Sequence, residues 1–321
     1  MRRFPCALLL AAALAAAPAA SSPPPGGASA YRRLPDPGAG ERLLIVAPHV
    51  DDEAIAAAGY ARAVVARGGE VFVVYLTAGD CNRFAAALIG RASSSTGRPL
   101  LREGRARIAE AVRAMAALGV PAGHLFVLGY PDRGLARLLA RPDARISSPC
   151  TRQTEVPYTQ AVSPGAPYRL ASLERDLLRV VREAAPTTIV APVAFDRHSD
   201  HAAAAVLVDR LMRELPAPPR RLGYLVHHAG YPSPLSYSPR RQLLPPARRA
   251  GNAGMAGTWR LFPLDPATEA LKKRVLHKYR SQIRDPYLWL LLDAFVRKNE
   301  LFLEAPAPAA PLTGRASDTT P

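Results

Sequence analysis

The 321-residue chain carries 42 Lys and Arg against 26 Asp and Glu, a formal net charge of +16, and is 49% hydrophobic. That length supports one large domain, or a domain with a small extension. Its three cysteines form no C-x-x-C pair, which excludes a cysteine zinc site, and no apolar run beyond the N-terminal segment reaches the roughly 20 residues that a membrane span needs.

The N-terminus reads as a signal peptide and leader over residues 1–30. Arg2 and Arg3 form a basic region, residues 6–17 an apolar one, and Ala17-Pro18-Ala19 or Ala28-Ser29-Ala30 a small-residue cleavage site. Cys6 lies at the start of the apolar region, the wrong end for a lipid anchor. The expected destination is the periplasm or the exterior, and the mature form has no stable span. Cys81 and Cys150 remain there, either bridged or as two thiols. Arginine supplies most of the positive charge beside abundant Ala and Pro. Compositional bias accounts for this more simply than attraction to an anionic polymer. No nucleic-acid-binding motif is present, and nucleic acid is not an expected partner.

Residues 31–41 read as a flexible linker. The apolar run 43–48 predicts a buried strand, and 54–66 a helix. A second strand over 70–77 ends in Ala78-Gly79-Asp80, and 91–100 is a polar loop. A helix over 102–118 stops at Gly119, a helix-ending residue. A short strand over 125–128 leads into Gly129-Tyr130-Pro131-Asp132. Residues 133–168 are irregular and long enough to act as a lid. Helix 170–183, strand 187–192, helix 202–215 and strand 221–226 follow, then a Pro- and Arg-rich segment over 229–250. Residues 268–300 predict two helices split at Asp285-Pro286. A single domain over 42–303, with a C-terminal helical extension from about residue 267, precedes a disordered tail over 304–321. Strands alternating with helices give an α/β, Rossmann-like fold: a mostly parallel sheet with helices on both faces.

Two polar clusters follow strands in this scheme. The first is Pro48-His49-Val50-Asp51-Asp52-Glu53, where three consecutive carboxylates repel one another unless a cation sits among them. Carboxylates in a helix's first turn are favourable in themselves, which accounts for one or two of them but not for His49. The second cluster, far along the chain, is His198-Ser199-Asp200-His201. A parallel sheet gathers the carboxyl ends of its strands at one edge, so both clusters can share a site. Imidazole and oxygen donors without cysteine suit one Zn²⁺ per chain in a hydrolytic centre, with another divalent ion as the alternative. No G-x-G-x-x-G follows the first strand, which argues against a nucleotide-binding protein.

The first cluster resembles the Pro/Ala-His-Pro-Asp-Asp-Glu motif of the PIG-L (LmbE-like) deacetylases, and the second their His-Pro-Asp-His. Between them, Thr77-Ala78-Gly79-Asp80, Arg107-Ile108-Ala109-Glu110 with Leu118-Gly119, and Leu128-Gly129-Tyr130-Pro131-Asp132 resemble further family segments in the family's order. Residues 272–302, with Tyr279, Gln282 and Arg297-Lys298-Asn299-Glu300, look like the tail of extracytoplasmic bacterial members. The resemblance implies a zinc-dependent N-deacetylase acting on a small-molecule or glycan substrate of the N-acetylglucosamine type. It makes His49, Asp52 and His201 the metal ligands and Asp51 the general base. His198, kept protonated by nearby acids, polarises or protonates the reacting groups. Val50 and Ser199 replace family prolines, and Asp196 stands where some members have a tyrosine. Asp80, Arg107 and Asp132 are candidate substrate contacts. Asp80 and Asp132 otherwise stabilise turns, and Arg107 otherwise pairs with Glu110 along one helix. Glu53 either orients a ligand or caps the helix, and Asp200 is a supporting residue. Tyr130 is either core or cavity wall, and His227 and His228 end a late strand. The alternatives are an amidase on a non-sugar N-acyl compound and a non-catalytic sugar-binding protein on the same fold.

Overall fold

The computed structural model describes residues 31–82, 97–246 and 257–304. The signal peptide, residues 91–96 of the polar loop, residues 247–250 of the Pro- and Arg-rich segment and the tail from 305 onward lie outside the described residues. Among the described residues, eight strands form one sheet: β1 (Arg32–Arg33), β2 (Arg42–Ala47), β3 (Glu70–Thr77), β4 (Leu125–Tyr130), β5 (Thr188–Pro192), β6 (Arg220–Tyr224), β7 (Thr258–Pro263) and β8 (Asn299–Glu304), in the order β1-β7-β8-β6-β5-β2-β3-β4. The helices are α1 (Asp52–Ala66), α2 (Arg98–Ala116), α3 (Leu135–Ala140), α4 (Leu170–Ala184), α5 (Ser199–Glu214), α6 (Pro266–Leu276), α7 (Arg280–Ile283) and α8 (Pro286–Ala294).

The central strands are parallel, with Ile45 of β2 level with Val73 of β3 and Val190 of β5. Their apolar runs have no polar side because both faces are covered. Leu43 through Ala47 are wholly buried. α1 packs on β2, β3 and β8 and against α6, whereas α4 packs on β2, β3 and β4 and against α5. Helix α4 buries Leu170, Leu173, Leu177, Val180, Val181 and Ala184 at helical spacing, which fixes its inward stripe. The chain runs from β2 outward through β3 to β4 and then returns to β5 on the other side of β2. That reversal opens a crevice at the carboxyl ends of β2 and β5, the place where open α/β sheets bind ligands.

Three regions depart from the sequence reading. The linker at 31–41 is tied to the sheet. Arg32 and Arg33 pair with β7, and Leu34 is fully buried, its amide donating to Leu261 O at 2.8 Å. The C-terminal extension is not wholly helical. Asn299–Glu304 forms β8, antiparallel to both β6 and β7, and β7 itself was unforeseen. Leu and Glu in that run favour a helix by composition, but burial of Glu300, Leu301 and Phe302 in the sheet overrides propensity. The split at Asp285-Pro286 holds, but the helical part comprises three pieces, α6, α7 and α8.

The 133–168 segment contains α3 and is stitched to its surroundings. The Cys81–Cys150 disulfide closes a separation of 69 residues, with Cα atoms 5.6 Å apart. In the loop-entropy account a bridge of that span stabilises by about 4 kcal/mol. Cys150→Ser is therefore expected to lower the unfolding free energy by roughly 2–5 kcal/mol. Urea unfolding with and without reductant checks this, and the variant should match the reduced parent.

Candidate active site

The loop from β2 into α1 sets out the first cluster. Asp51 stands at the N-cap of α1 with φ 151° and ψ −22°, a backbone conformation that costs a non-glycine residue energy. Its surroundings hold it there. The Asp51 amide donates to Glu53 Oε2 at 3.2 Å, and its carbonyl accepts from Ala54 and Ile55, each at 3.0 Å. The Tyr279 hydroxyl donates to Glu53 Oε1, so the C-terminal extension braces this turn. Glu53 therefore caps the N-cap amide of α1 and ties that turn to the C-terminal extension, wholly buried between them. Burial, opposed by the Tyr279 hydrogen bond and reinforced by Asp51, pushes its pKa up to about 8.

Asp52 points into the cluster. Its Oδ2 is 3.3 Å from His49 Nδ1 and 3.2 Å from His201 Nε2. Donors at about 2.0–2.1 Å from a tetrahedral zinc lie about 3.3–3.4 Å apart along the edges, so both spacings fit one ion. His201 is fully buried, and neither ring nitrogen makes a hydrogen bond. Nε2 faces Asp52, while Nδ1 lies 3.2 Å from Asp196 Oδ2, close enough for charge attraction but not aligned for a bond. An orphaned buried nitrogen beside a carboxylate is what a metal ligand looks like without its ion. Among the described residues, three overlapping groups of side chains have donor atoms close enough together for a cation: His49, His198 and His201; Asp52, His201 and His227; and His49, Asp132 and Asp200; the trio His49, Asp52 and His201 shares two members with each of the first two groups.

Charge follows from this packing. Burial lowers the His49 pKa, but Asp132, Asp200 and Asp52 outweigh it and raise it well above the ordinary value. His201 behaves likewise, lowered by burial but raised overall to about 9 by Asp52 and Asp196. Asp52, penalised by burial, is nonetheless drawn well below the usual carboxylate range by His201 and His49. Asp51 is pushed up to about 6 by burial, with the Arg107 guanidinium opposing and Asp52 adding.

The second cluster is set by α5. His198 is its N-cap, and His198 Nδ1 accepts from the Asp200 amide at 3.3 Å, so its proton sits on Nε2. Burial and the neighbouring His49 and His201 lower the His198 pKa to about 4. With no ion in the cluster, burial first and then His49 and His201 favour the neutral form of His198 over the protonated form expected from the resemblance. Asp200, fully buried, accepts from the amides of Arg133 at 2.6 Å and Leu135 at 3.1 Å and lies 3.4 Å from His49 Nε2. It pins the start of the 133–168 segment to the cluster.

The candidate substrate contacts divide. Asp132 lines the cavity, accepts from the Cys81 amide at 2.8 Å and lies 3.4 Å from His49 Nε2. Arg107 also lines the cavity, but its two terminal nitrogens are engaged: with Gly79 O at 2.6 Å, Val50 O at 2.7 Å and Asp51 Oδ2 at 3.0 Å. It anchors the Asp51 carboxylate. The alternative, an ion pair with Glu110, does not form; that carboxylate accepts from Ser281 N and Oγ. Gly79, at φ +64°, makes room for Arg107, since a Cβ there would collide with the guanidinium. Asp80 is withdrawn from the cavity. It is buried behind it and accepts from the Tyr158 hydroxyl at 2.5 Å, so it holds a turn. Tyr130 is core, donating to Asp176 at 2.8 Å.

Two residues of the site were noted in the sequence but given no role there. Asp196 accepts from the amides of His198 at 2.9 Å, Val226 at 3.0 Å and His227 at 3.1 Å while facing His201. A signal existed: it lies two residues before His198, in place of the tyrosine of some family members. His227, left undecided, stands with its ring 4.8 Å from that of His201 and 5.2 Å from that of His198. The whole opens into a cavity of about 710 Å³ whose far wall is Leu288, Leu291 and Leu292 of α8.

A family model described as PIG-L, GlcNAc-PI de-N-acetylase, matches residues 44–212, more than half of the chain. Among solved structures, the N,N'-diacetylchitobiose deacetylase of Pyrococcus horikoshii is similar at 18% identity over 84% of this chain and 87% of that one, with a TM-score of 0.51. The A40926 pseudoaglycone deacetylase Dbv21 is similar at 20% identity over 82% of this chain and 96% of that one, with a TM-score of 0.52. A triple mutant of a deacetylase of the teicoplanin biosynthetic pathway is similar at 17% identity over 82% and 97%, also at 0.52. These likenesses establish a shared fold, and no curated protein matches the chain. By the family match, with the family's motif residues gathered at one sheet edge, the chain belongs to the PIG-L family of de-N-acetylases and is a hydrolase of amide carbon–nitrogen bonds.

Proposed function

We propose that the protein is a zinc-dependent N-deacetylase that releases acetate from an N-acetylglucosamine-type amino sugar or glycoconjugate outside the cytoplasm. The observation that carries the reading is the placement of Asp52 within 3.2–3.3 Å of two buried imidazole nitrogens, one of them orphaned. His49, Asp52 and His201 would hold the ion, with Asp196 fixing the orientation of His201. A bound zinc supplies a water of lowered pKa and a polarised amide carbonyl. Asp51 takes a proton from the attacking water and passes it to the leaving nitrogen as the C–N bond breaks, giving acetate and a free amine. His198, with Nδ1 turned to the Asp200 amide and a proton on Nε2, donates a hydrogen bond to the oxygen on which negative charge develops. Export is supported by the pattern of residues 1–30 and by a disulfide that an oxidising compartment favours.

The test is acetate release from N-acetylglucosamine and its conjugates by the purified protein, with added zinc and after chelation. Metal-dependent release is expected, and release that survives complete chelation would refute the metal role. Asp196→Asn should weaken zinc affinity about 10–100-fold, read by competition with a chromogenic chelator.

The pH profile follows from Asp51. A base must be unprotonated, so kcat/KM rises with pH through the Asp51 pKa and then levels, with the acid limb near pH 6 before any cation is considered. A bound dication pulls that limb down. Arg107 lowers the Asp51 pKa, so Arg107→Gln should move the limb to higher pH relative to the parent at equal metal loading. A limb that stays in place would break the link between the two residues.

A further inference from the structure

We infer that His227 is a fourth protein donor to the cation, joining His49, Asp52 and His201; this rests on the metal-dependent reading above. His227 follows β6 at the carboxyl edge of the sheet and lines the main cavity. Among the described residues, one ring nitrogen of His227, one of His201 and a carboxylate oxygen of Asp52 lie within 4.8 Å of one another. That group shares Asp52 and His201 with the proposed ligand set. Two imidazoles on one zinc, each nitrogen about 2.0–2.1 Å from it, bring their ring centres to roughly 4.5–5.3 Å from each other. The pairs His227–His201 at 4.8 Å and His49–His201 at 5.3 Å both meet that spacing.

The neighbouring imidazoles are committed elsewhere. His198 Nδ1 accepts from the Asp200 amide, which leaves its proton on Nε2 and no free lone pair. His228 Nδ1 lies 3.2 Å from Ala229 O, and His228 joins no such donor group among the described residues. The His227 ring, by contrast, makes no hydrogen bond among the described residues, so its lone pair is unclaimed. The His227 backbone is fixed on both sides. Its amide donates to Asp196 Oδ2 at 3.1 Å, and its carbonyl accepts from the Arg197 amide at 2.8 Å. Asp196 Oδ2 is also the atom that lies 3.2 Å from His201 Nδ1. One buried carboxylate oxygen therefore sets the places of both imidazoles, as groups behind the ligands of a metal site do. Four protein donors leave room for catalysis, because zinc in hydrolytic sites expands to five-coordination.

The experiment uses the purified protein loaded with zinc or cobalt(II), as the parent and as His227→Ala. Zinc affinity is read by competition with a chromogenic chelator, and the donor set by the visible spectrum of the cobalt form. His227→Ala is expected to weaken zinc binding by more than the roughly 10–100-fold that loss of an outer partner costs, and to change the intensity of the cobalt bands. Free imidazole added to cobalt-loaded His227→Ala should bring the parent spectrum back. A variant spectrum equal to the parent's, or one that imidazole does not move, would overturn the inference even if zinc binds more weakly. On the parent itself, X-ray absorption at the zinc edge should fit three imidazoles, those of His49, His201 and His227. A fit to two would overturn the inference without recourse to a variant. Three imidazoles with no acetate release from N-acetylglucosamine or its conjugates would sink the deacetylase reading and leave the ligand assignment standing. Metal-dependent release with two imidazoles would do the reverse.

Discussion

Asp51→Asn is expected to lower kcat by roughly 10²–10⁴-fold, the usual contribution of a positioned base, while bound zinc stays near one per chain. The replacement keeps the shape of the side chain, and asparagine is among the residues that best tolerate unusual positive-φ backbone. The turn held by Glu53 and Tyr279 should therefore survive. The proposed ligands are untouched, because Asp51 reaches Arg107 at 3.0 Å whereas Asp52 is the residue that faces His49 and His201. Turnover and the metal-to-protein ratio are measured on the same preparation. A kcat within a few-fold of the parent would remove Asp51 from the proton path. Simultaneous loss of metal would make it part of the ligand shell instead.

His201→Ala should act at a different level, removing metal and stability together. His201 is fully buried between Asp52 and Asp196, which are themselves 2% and 5% exposed. Without the imidazole two carboxylates face each other across a gap, and breaking a buried charge pair costs about 3–5 kcal/mol. Zinc content should fall well below one per chain, acetate release should disappear, and the denaturant midpoint should drop. An unchanged zinc ratio would exclude His201 as a ligand. A lost ratio with an unchanged midpoint would mean that Asp52 and Asp196 relax by taking up protons or water. The contrast with Asp51→Asn separates residues that hold the ion from a residue that moves a proton beside it.

The C-terminal extension belongs to the site although it lies beyond the family match at 44–212. Tyr279 braces Glu53. Lys272, buried, donates to Ile55 O and Glu300 at 2.8 Å each, and Glu300 in turn accepts from the amides of Gly59 and Tyr60 at 2.8 Å. Helix α1, which carries Asp52 at its first position, is thus fixed at one end by the motif loop and along its length by residues more than 200 positions away. The same extension supplies the apolar wall of the cavity, so substrate fit and base geometry depend on one segment.

The sequence by itself determined the parallel core and the location of the chemistry. The runs at β2, β3 and β5 are apolar on both faces, which only a doubly covered sheet explains, and each motif cluster is local, its residues within a few positions of one another. His49, Asp51, Asp52, His198 and His201 were legible for that reason. What only the tertiary structure decided was every partnership across long separations: Asp196 and His227 against His201, Arg107 against Asp51 rather than Glu110, Tyr279 against Glu53, the Cys81–Cys150 bridge, and the antiparallel β7–β8 pair. A residue's composition and spacing record which side of its own element is buried. They do not record which element lies opposite, because that is chosen by how whole helices and strands pack to exclude water.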